Sequence, residues 1–347
     1  MELNFNENQI KLWVAKNFQS LGLDGSKLGV RYIYNPGGFV NQSYRVTDGE
    51  TTIHIKLART EKAHRLKQWA SISEHLSIHY KAPRLIGEIT EELIEGYTYG
   101  LVFRFIEGKS LSSVSNSKPI TENILHLLHQ LHRDKEIEQM IRNDDQYEVQ
   151  NKLQEDMQDD LHDYSYADAF KEEYINRFLE DLNIIRSKQH LLNFVTSDSI
   201  NWFENEVVAL EQLVRSTASF QQKALDVVHN DMNGENVLVD NDHDCWIIDW
   251  DDLTVRGDAA MDYSVLLWPK YNEQEWSYWS ELVLTLAGKE LFERLQFYFR
   301  AKLLDDVIDV LADYIEAEEI PELKEITQKR AKEIHLRAYS EYKKLYL

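Results

Sequence analysis

The chain has one cysteine, Cys245, in 347 residues, so no intramolecular disulfide can form and no cysteine-based zinc site exists. Cys245 stands in an apolar run before Trp246 and reads as a small buried hydrophobe. Prolines number only five and no low-complexity linker interrupts the chain, so its parts are expected to pack closely. Apolar runs fall short of the ~20 residues that cross a bilayer. The first residues, Met1-Glu2-Leu3-Asn4-Phe5-Asn6-Glu7, lack the basic and apolar regions of a secretion signal. The expectation is a cytoplasmic protein, a monomer or weak homodimer, with no membrane partner. Positive charge is scarce too: 38 Lys and Arg stand against 60 Asp and Glu, a formal charge of -22. That field repels nucleic acid and raises the local concentration of cationic small molecules.

What the chain does have is a change of pattern along its length. Ile10, Trp13, Val14, Phe18 and Leu21 recur at helical spacing within residues 1–30. Val30 to Leu57 then alternates as strands, with Asp48-Gly49 as a hairpin turn. Residues 60–80 read as a helix, and two further strands are expected around Ile89–Ile94 and Gly100–Ile106. Beyond Gly108 the chain is mostly helical. Thr121 reads as an N-cap for a helix over Thr121–His132. Glu155, Asp159 and Asp163 fall on one helical row that reads as a solvated face, and long amphipathic helices are expected over 272–287, 289–315 and 322–345. An α+β fold in two parts follows: residues 1–107 with a small antiparallel sheet, and residues 108–347, mostly helical.

The densest chemistry lies in His229-Asn230-Asp231-Met232-Asn233-Gly234-Glu235-Asn236, set between apolar strands and followed by Trp246-Ile247-Ile248-Asp249-Trp250-Asp251-Asp252. Phosphoryl transfer needs little covalent help from a protein; it needs a positioned hydroxyl and cations that offset phosphate charge. Asp231 is placed to accept the proton of an attacking hydroxyl. Asn236 and Asp249 supply oxygens for magnesium, which prefers hard ligands and keeps several waters. Asp249 ends an apolar run, where a charge needs solvent or a metal. His229 reads as structural. Lys56, in Ile53-His54-Ile55-Lys56-Leu57, lies on the strand face opposite Ile55 and can point an ammonium at phosphates. Gly37-Gly38-Phe39-Val40-Asn41 could drape backbone over them. ATP and Mg2+ are the expected cofactors, with GTP the alternative nucleotide.

These motifs, in this order, resemble the aminoglycoside phosphotransferase and choline kinase group of small-molecule kinases, which have a protein-kinase-like fold. The resemblance covers most of the length: Gly38-Phe39-Val40-Asn41 and Tyr44 in the nucleotide loop, Lys56, and Phe103-Arg104-Phe105-Ile106-Glu107-Gly108 at the hinge. It continues through Leu131-His132, the His229–Asn236 loop, Ile248-Asp249-Trp250 and Gly257-Asp258-Ala259-Ala260-Met261-Asp262. It implies a smaller N-terminal nucleotide-binding lobe and a larger helical one carrying the catalytic loop and substrate site. Asp231 would be the base, Asn236 and Asp249 would bind magnesium, and Gly38, Asn41 and Lys56 would contact the nucleotide. Arg104, Phe105 and Ile106 would face adenine, and Asp262 would brace the catalytic loop. A glutamate from the helix after Lys56 would pair with it. Glu74 is taken for that role, with Glu61 the alternative and Trp69 at the strictly aligned place. Two departures argue against a protein kinase. Asn230 stands where protein kinases have Arg, and only twelve residues separate Asp249 from Asp262, too few for a peptide-binding activation segment.

The acidic balance points to a cationic acceptor, an aminoglycoside or related antibiotic, and hence to antibiotic resistance. Asp251 and Asp252, with Asp305, Asp306 and Asp309 on one helix, are the candidate amine-binding carboxylates. A choline or ethanolamine kinase is the second reading, since Trp268, Trp276 and Trp279 could cage a quaternary ammonium. Asp249-Trp250-Asp251 departs from the Asp-Phe-Glu of choline kinases. A nucleotide-binding pseudokinase scaffold is the third reading.

Overall fold

Alternating β-branched and aromatic residues build a five-stranded antiparallel sheet. The computed structural model describes residues 2–33, 41–149, 164–271, 273–319 and 324–346. Gly38 and the Glu155, Asp159 and Asp163 row lie outside them. Helix α1 (Glu2–Asn17) precedes β1 (Gly29–Ile33), β2 (Asn41–Thr47) and β3 (Thr52–Arg59); α2 (Ala63–His79) leads to β4 (Leu85–Ile89) and β5 (Tyr97–Arg104). The spatial order is β1-β2-β3-β5-β4. The β2–β3 hairpin turns at Asp48-Gly49. The Asp48 carboxylate accepts from the Glu50 and Thr51 N–H groups at 2.8 and 2.7 Å, and Gly49 takes φ 101, a left-handed backbone that suits glycine.

The two-residue period of β3 sorts its side chains onto opposite faces. Ile53, Ile55 and Leu57 join Tyr44, Val46 and Val102 in a buried cluster with Ile10 and Val14 of α1. Each such side chain contributes about 1.5–3 kcal/mol on leaving water. The other face carries His54 and Lys56. Here Phe103 stacks on Trp69 of α2, ring centroids 4.5 Å apart.

The rest of the chain runs β6 (Lys109–Ser110), α3 (Lys118–Leu131), α4 (Lys135–Val149), α5 (Tyr166–Phe170), α6 (Asn176–Ser187), α7 (Ser197–Ser216), β7 (Asp226–Val228), β8 (Val237–Val239), β9 (Cys245–Ile247), β10 (Thr254–Gly257), α8 (Ala259–Leu267), α9 (Trp276–Glu316) and α10 (Lys324–Tyr346). The chain divides into two compact units, residues 1–154 with 231–255 and residues 155–230 with 256–347. In the first, β6, β8 and β9 form a small sheet. In the second, α6, α8 and α10 pack against α9. The long α9 is broken at Gly288, φ 85 and ψ 176, the residue between the helices expected over 272–287 and 289–315.

Two expectations shift. Thr121 is not the cap of α3: the helix starts at Lys118, with Pro119 in its first turn, where proline's fixed φ fits and no N–H is needed. The Thr121 hydroxyl instead donates to the Ser117 carbonyl at 2.9 Å. The strand expected over Ile89–Ile94 ends at Ile89, because the segment turns at Gly96 (φ 81), whose N–H donates to Glu92 at 2.6 Å. No described helix is long and apolar enough to cross a membrane.

A buried ion pair ties α8 to α9. Arg294 donates through Nε and Nη2 to the two oxygens of Asp258 at 2.8 and 3.0 Å, and Asp258 also caps α8 through the Ala260 N–H at 3.0 Å. Arg294→Met strands that carboxylate, so a loss of about 3–5 kcal/mol in unfolding free energy is expected by denaturant titration. On β3, burial and then the Lys56 charge hold the His54 imidazole down to about 4. The unfolded chain, with histidine at about 6.5, therefore binds a proton the folded one refuses. This contribution is complete above pH 6.5 and is lost as pH falls toward 4. His54→Gln is expected to flatten the melting-temperature profile in that window.

Candidate active site

The loop between β7 and β8 is braced by backbone hydrogen bonds. The N–H groups of His229 and Asn230 donate to the two oxygens of buried Asp262, at 2.9 and 2.8 Å. Asn230 takes φ 71, a left-handed conformation that asparagine tolerates better than most residues. The next residue, Asp231, is held by two neutral amides. Asn233 Nδ2 donates to Oδ1 at 2.8 Å, and Asn236 Nδ2 donates to Oδ2 at 2.7 Å. Asn236 Nδ2 also reaches the Asp231 carbonyl at 2.8 Å, while Asn233 Oδ1 accepts from the Glu235 and Asn236 N–H groups at 2.8 and 3.1 Å. Because Asn236 binds Asp231 through nitrogen, its oxygen is the atom suited to a cation.

Strand β9 delivers the acidic turn. Val237 pairs with Ile247 across β8 and β9, and the Ile248 N–H donates to the Asn236 carbonyl at 2.9 Å. This links the turn to the loop. Asp249 then adopts φ 68 and ψ 55, a strained left-handed backbone of the kind that clusters at functional sites. Buried Trp250 locks it in place, its indole N–H donating to the Ile247 carbonyl at 2.8 Å. The strain sends both Asp249 and Asp251 to Lys56, the latter at 2.6 Å. Asn41 donates to Asp251 Oδ2 at 2.7 Å, Arg65 pairs with Asp252, and Gln68 donates to the Leu253 carbonyl at 2.6 Å.

The electrostatics follow from one buried cation among carboxylates. Burial alone would discharge Lys56, but Asp249 and Asp251 outweigh it and raise the ammonium's pKa. Burial would likewise raise Asp249, yet the Lys56 charge brings it down to about 2. Asp251 moves up, from burial and the neighbouring Asp249. Of the two carboxylates Asp249 is the more acidic.

These groups line one cavity of about 640 Å³, a size that suits a bound small molecule. Asn41, Lys56, Arg104, Phe105, Ile106, Asp231, Asn236, Asp249, Asp251 and Asp252 all border it. The N–H groups of Arg104 and Phe105 already donate to the carbonyls of Arg84 and Thr52, at 3.1 and 3.3 Å. The oxygens of Asn236 and Asp249 suit a hard divalent cation. Among the described residues no three His, Cys, Asp or Glu side chains gather to hold a metal, so such a cation would take its other ligands from phosphate and water.

Other expected residues lie elsewhere. Glu74 is exposed on α2 and is not the partner of Lys56; Trp69 of the same helix faces the ammonium, 5.5 Å from ring centroid to Nζ. Trp268, Asp305 and Asp306 belong to the second unit and do not line the cavity. Trp268 stacks on Tyr271 and Phe299, and Trp279 is buried. Asp305 pairs with Arg177 and with Lys302, the latter at 2.6 Å. Around it, burial and neighbouring carboxylates push Asp309 up to about 7 and Asp181 up to about 6. Two further site residues, Asn233 and Arg65, were not expected. An asparagine two residues after Asp231 is a signal for local hydrogen bonding; nothing in the sequence marks Arg65.

Solved structures share this architecture. APH(2")-IIia, in complex with GDP and kanamycin, aligns with a TM-score of 0.61 at 12% identity, covering 94% of this chain and 97% of that one. The spectinomycin phosphotransferase APH(9)-Ia, in complex with ADP and spectinomycin, aligns at 0.52 and 15% identity, covering 94% and 91%. The Plasmodium vivax ethanolamine kinase aligns at 0.51 and 13% identity, covering 86% and 81%. At such identities the likeness is one of fold. The family model described as the phosphotransferase enzyme family, APH, matches residues 32–317. With that match spanning both the sheet and the helical part, the chain belongs to the phosphotransferase enzyme family.

Proposed function

We propose that this protein transfers the γ-phosphoryl group of ATP, with GTP as the alternative donor, to a hydroxyl of a cationic small molecule, an aminoglycoside or related antibiotic. The carrying observation is that Asp231, clamped between two asparagine amides, borders the same cavity as Lys56 and Asp249. Asp231 accepts the proton as the acceptor oxygen bonds to phosphorus and the bond to the nucleoside diphosphate breaks. Lys56 holds phosphate oxygens as a point charge. Asn236 and Asp249 would hold magnesium, which when bound offsets charge on the phosphates. At the hinge, the N–H groups of Arg104 and Phe105 are engaged elsewhere, which leaves their carbonyls and the backbone of Ile106 to meet the adenine.

Support for a cationic acceptor is electrostatic. The chain carries a formal charge of -22, and burial together with neighbouring carboxylates holds Asp181 and Asp309 above their usual range. An amine beside them would restore their charge. Of the tryptophans of the choline-type reading, Trp279 is buried, while Trp268 and Trp276 are half-buried beside Tyr271 and Phe299.

Asp231→Asn is expected to lower kcat by about 10²–10⁴-fold while leaving nucleotide affinity nearly unchanged; unaltered turnover in a coupled assay removes the base assignment. Asp249→Ala is expected to abolish the magnesium dependence of nucleotide binding in calorimetric titration, and retention of full affinity refutes the ligand role. A panel of aminoglycosides, spectinomycin, macrolides, choline and ethanolamine identifies the acceptor. Turnover confined to choline or ethanolamine overturns the antibiotic reading.

A further inference from the structure

Within the phosphotransferase reading, we infer that Asp251 is the residue that positions Lys56, a task carried here by the acidic turn rather than by a glutamate of α2. A buried ammonium must be matched by charge and hydrogen bonds. Lys56 is 5% exposed and has two carboxylates in reach, Asp249 and Asp251. Their surroundings differ. The Asp249 side chain is 30% exposed, whereas that of Asp251 is 10% exposed. Both oxygens of Asp251 are engaged, Oδ1 by Lys56 at 2.6 Å and Oδ2 by Asn41 at 2.7 Å. Asp249 therefore has the open side that a cation and phosphates could use, and Asp251 is the fixed partner that stays with the lysine.

The α2 side of the ammonium agrees. The helix presents Trp69 there, buried and stacked on Phe103, with its ring face toward Nζ. An indole attracts a cation but supplies no acceptor oxygen. Glu74 is exposed on the same helix. The consequence is that the phosphate-binding lysine and Asp249 are referenced to one short turn, which Arg65 and Gln68 of α2 hold from its other end.

The test is MgADP affinity measured by calorimetry, with kcat and both KM values for the accepted substrate. Asp251→Asn is expected to weaken MgADP binding at least tenfold and to raise the nucleotide KM without moving the acceptor KM. In Lys56→Met protein, adding Asp251→Asn should cost nothing more, because its partner is already gone. Glu74→Gln should leave MgADP affinity within twofold of the parent. Asp251→Glu, which keeps the charge on a longer side chain, should weaken MgADP binding by a smaller factor and tests the idea if Asp251→Asn does not fold. Independent effects of Lys56→Met and Asp251→Asn, a change confined to the acceptor KM, or a Glu74→Gln loss as large as that of Asp251→Asn would each overturn the assignment. Failure of the parent protein to bind MgADP removes the phosphotransferase reading itself, and the assignment with it.

Discussion

One buried positive charge organises the cavity. Taking an ammonium out of water is costly unless opposite charge and hydrogen bonds replace the solvent, and Lys56 meets that demand from one stretch of chain, Asp249 to Asp251. The backbone there is bent into the left-handed region, which costs about 1–3 kcal/mol. Charge-assisted hydrogen bonds, at about 1.5–3 kcal/mol each, offset it. The result is a lysine with a raised pKa beside a carboxylate with a lowered one. A strand, a turn and the indole of Trp69 are thereby held to a single point.

Asp231 is treated in the opposite way. Two neutral amides, those of Asn233 and Asn236, orient its oxygens. The residues just before it are anchored through their backbone to Asp262. Orientation supplied by fixed dipoles needs no rearrangement when a reacting group arrives. A lysine held by charge and an aspartate held by dipoles thus border the same cavity under different controls.

Much of this was legible in the chain. The alternation of Ile53, Ile55 and Leu57 put Lys56 on the face opposite the α1 core, and the apolar runs flanking His229–Asn236 and preceding Asp249 marked the strands that bring Asp231, Asn236 and Asp249 together. The partner of Lys56 was not legible. Glu74 lies five positions beyond Trp69, which on a helix of 3.6 residues per turn is a rotation of about 140°, so only one of them can face the strand. Nor could the sequence tell that Asp305 meets Arg177, since they stand 128 positions apart, or that Trp268 would stack on Phe299. Periodicity reports which face a residue occupies; it is silent on which distant element covers that face.

Gly288 has a role of its own. An added Cβ there would meet no atom within 4 Å, so the position is restricted by handedness of the backbone rather than by space. Because the break resets the helical phase, the apolar stripe through Trp279 and Val283 is independent of the one through Leu291, Leu295 and Phe299. A residue gained or lost before the break would rotate only the first stripe, by about 100°, and leave the register of the second untouched. The two halves stay joined where Trp276 of the first packs edge-on against Phe299 of the second, so a change of length before the break would be felt at that ring pair.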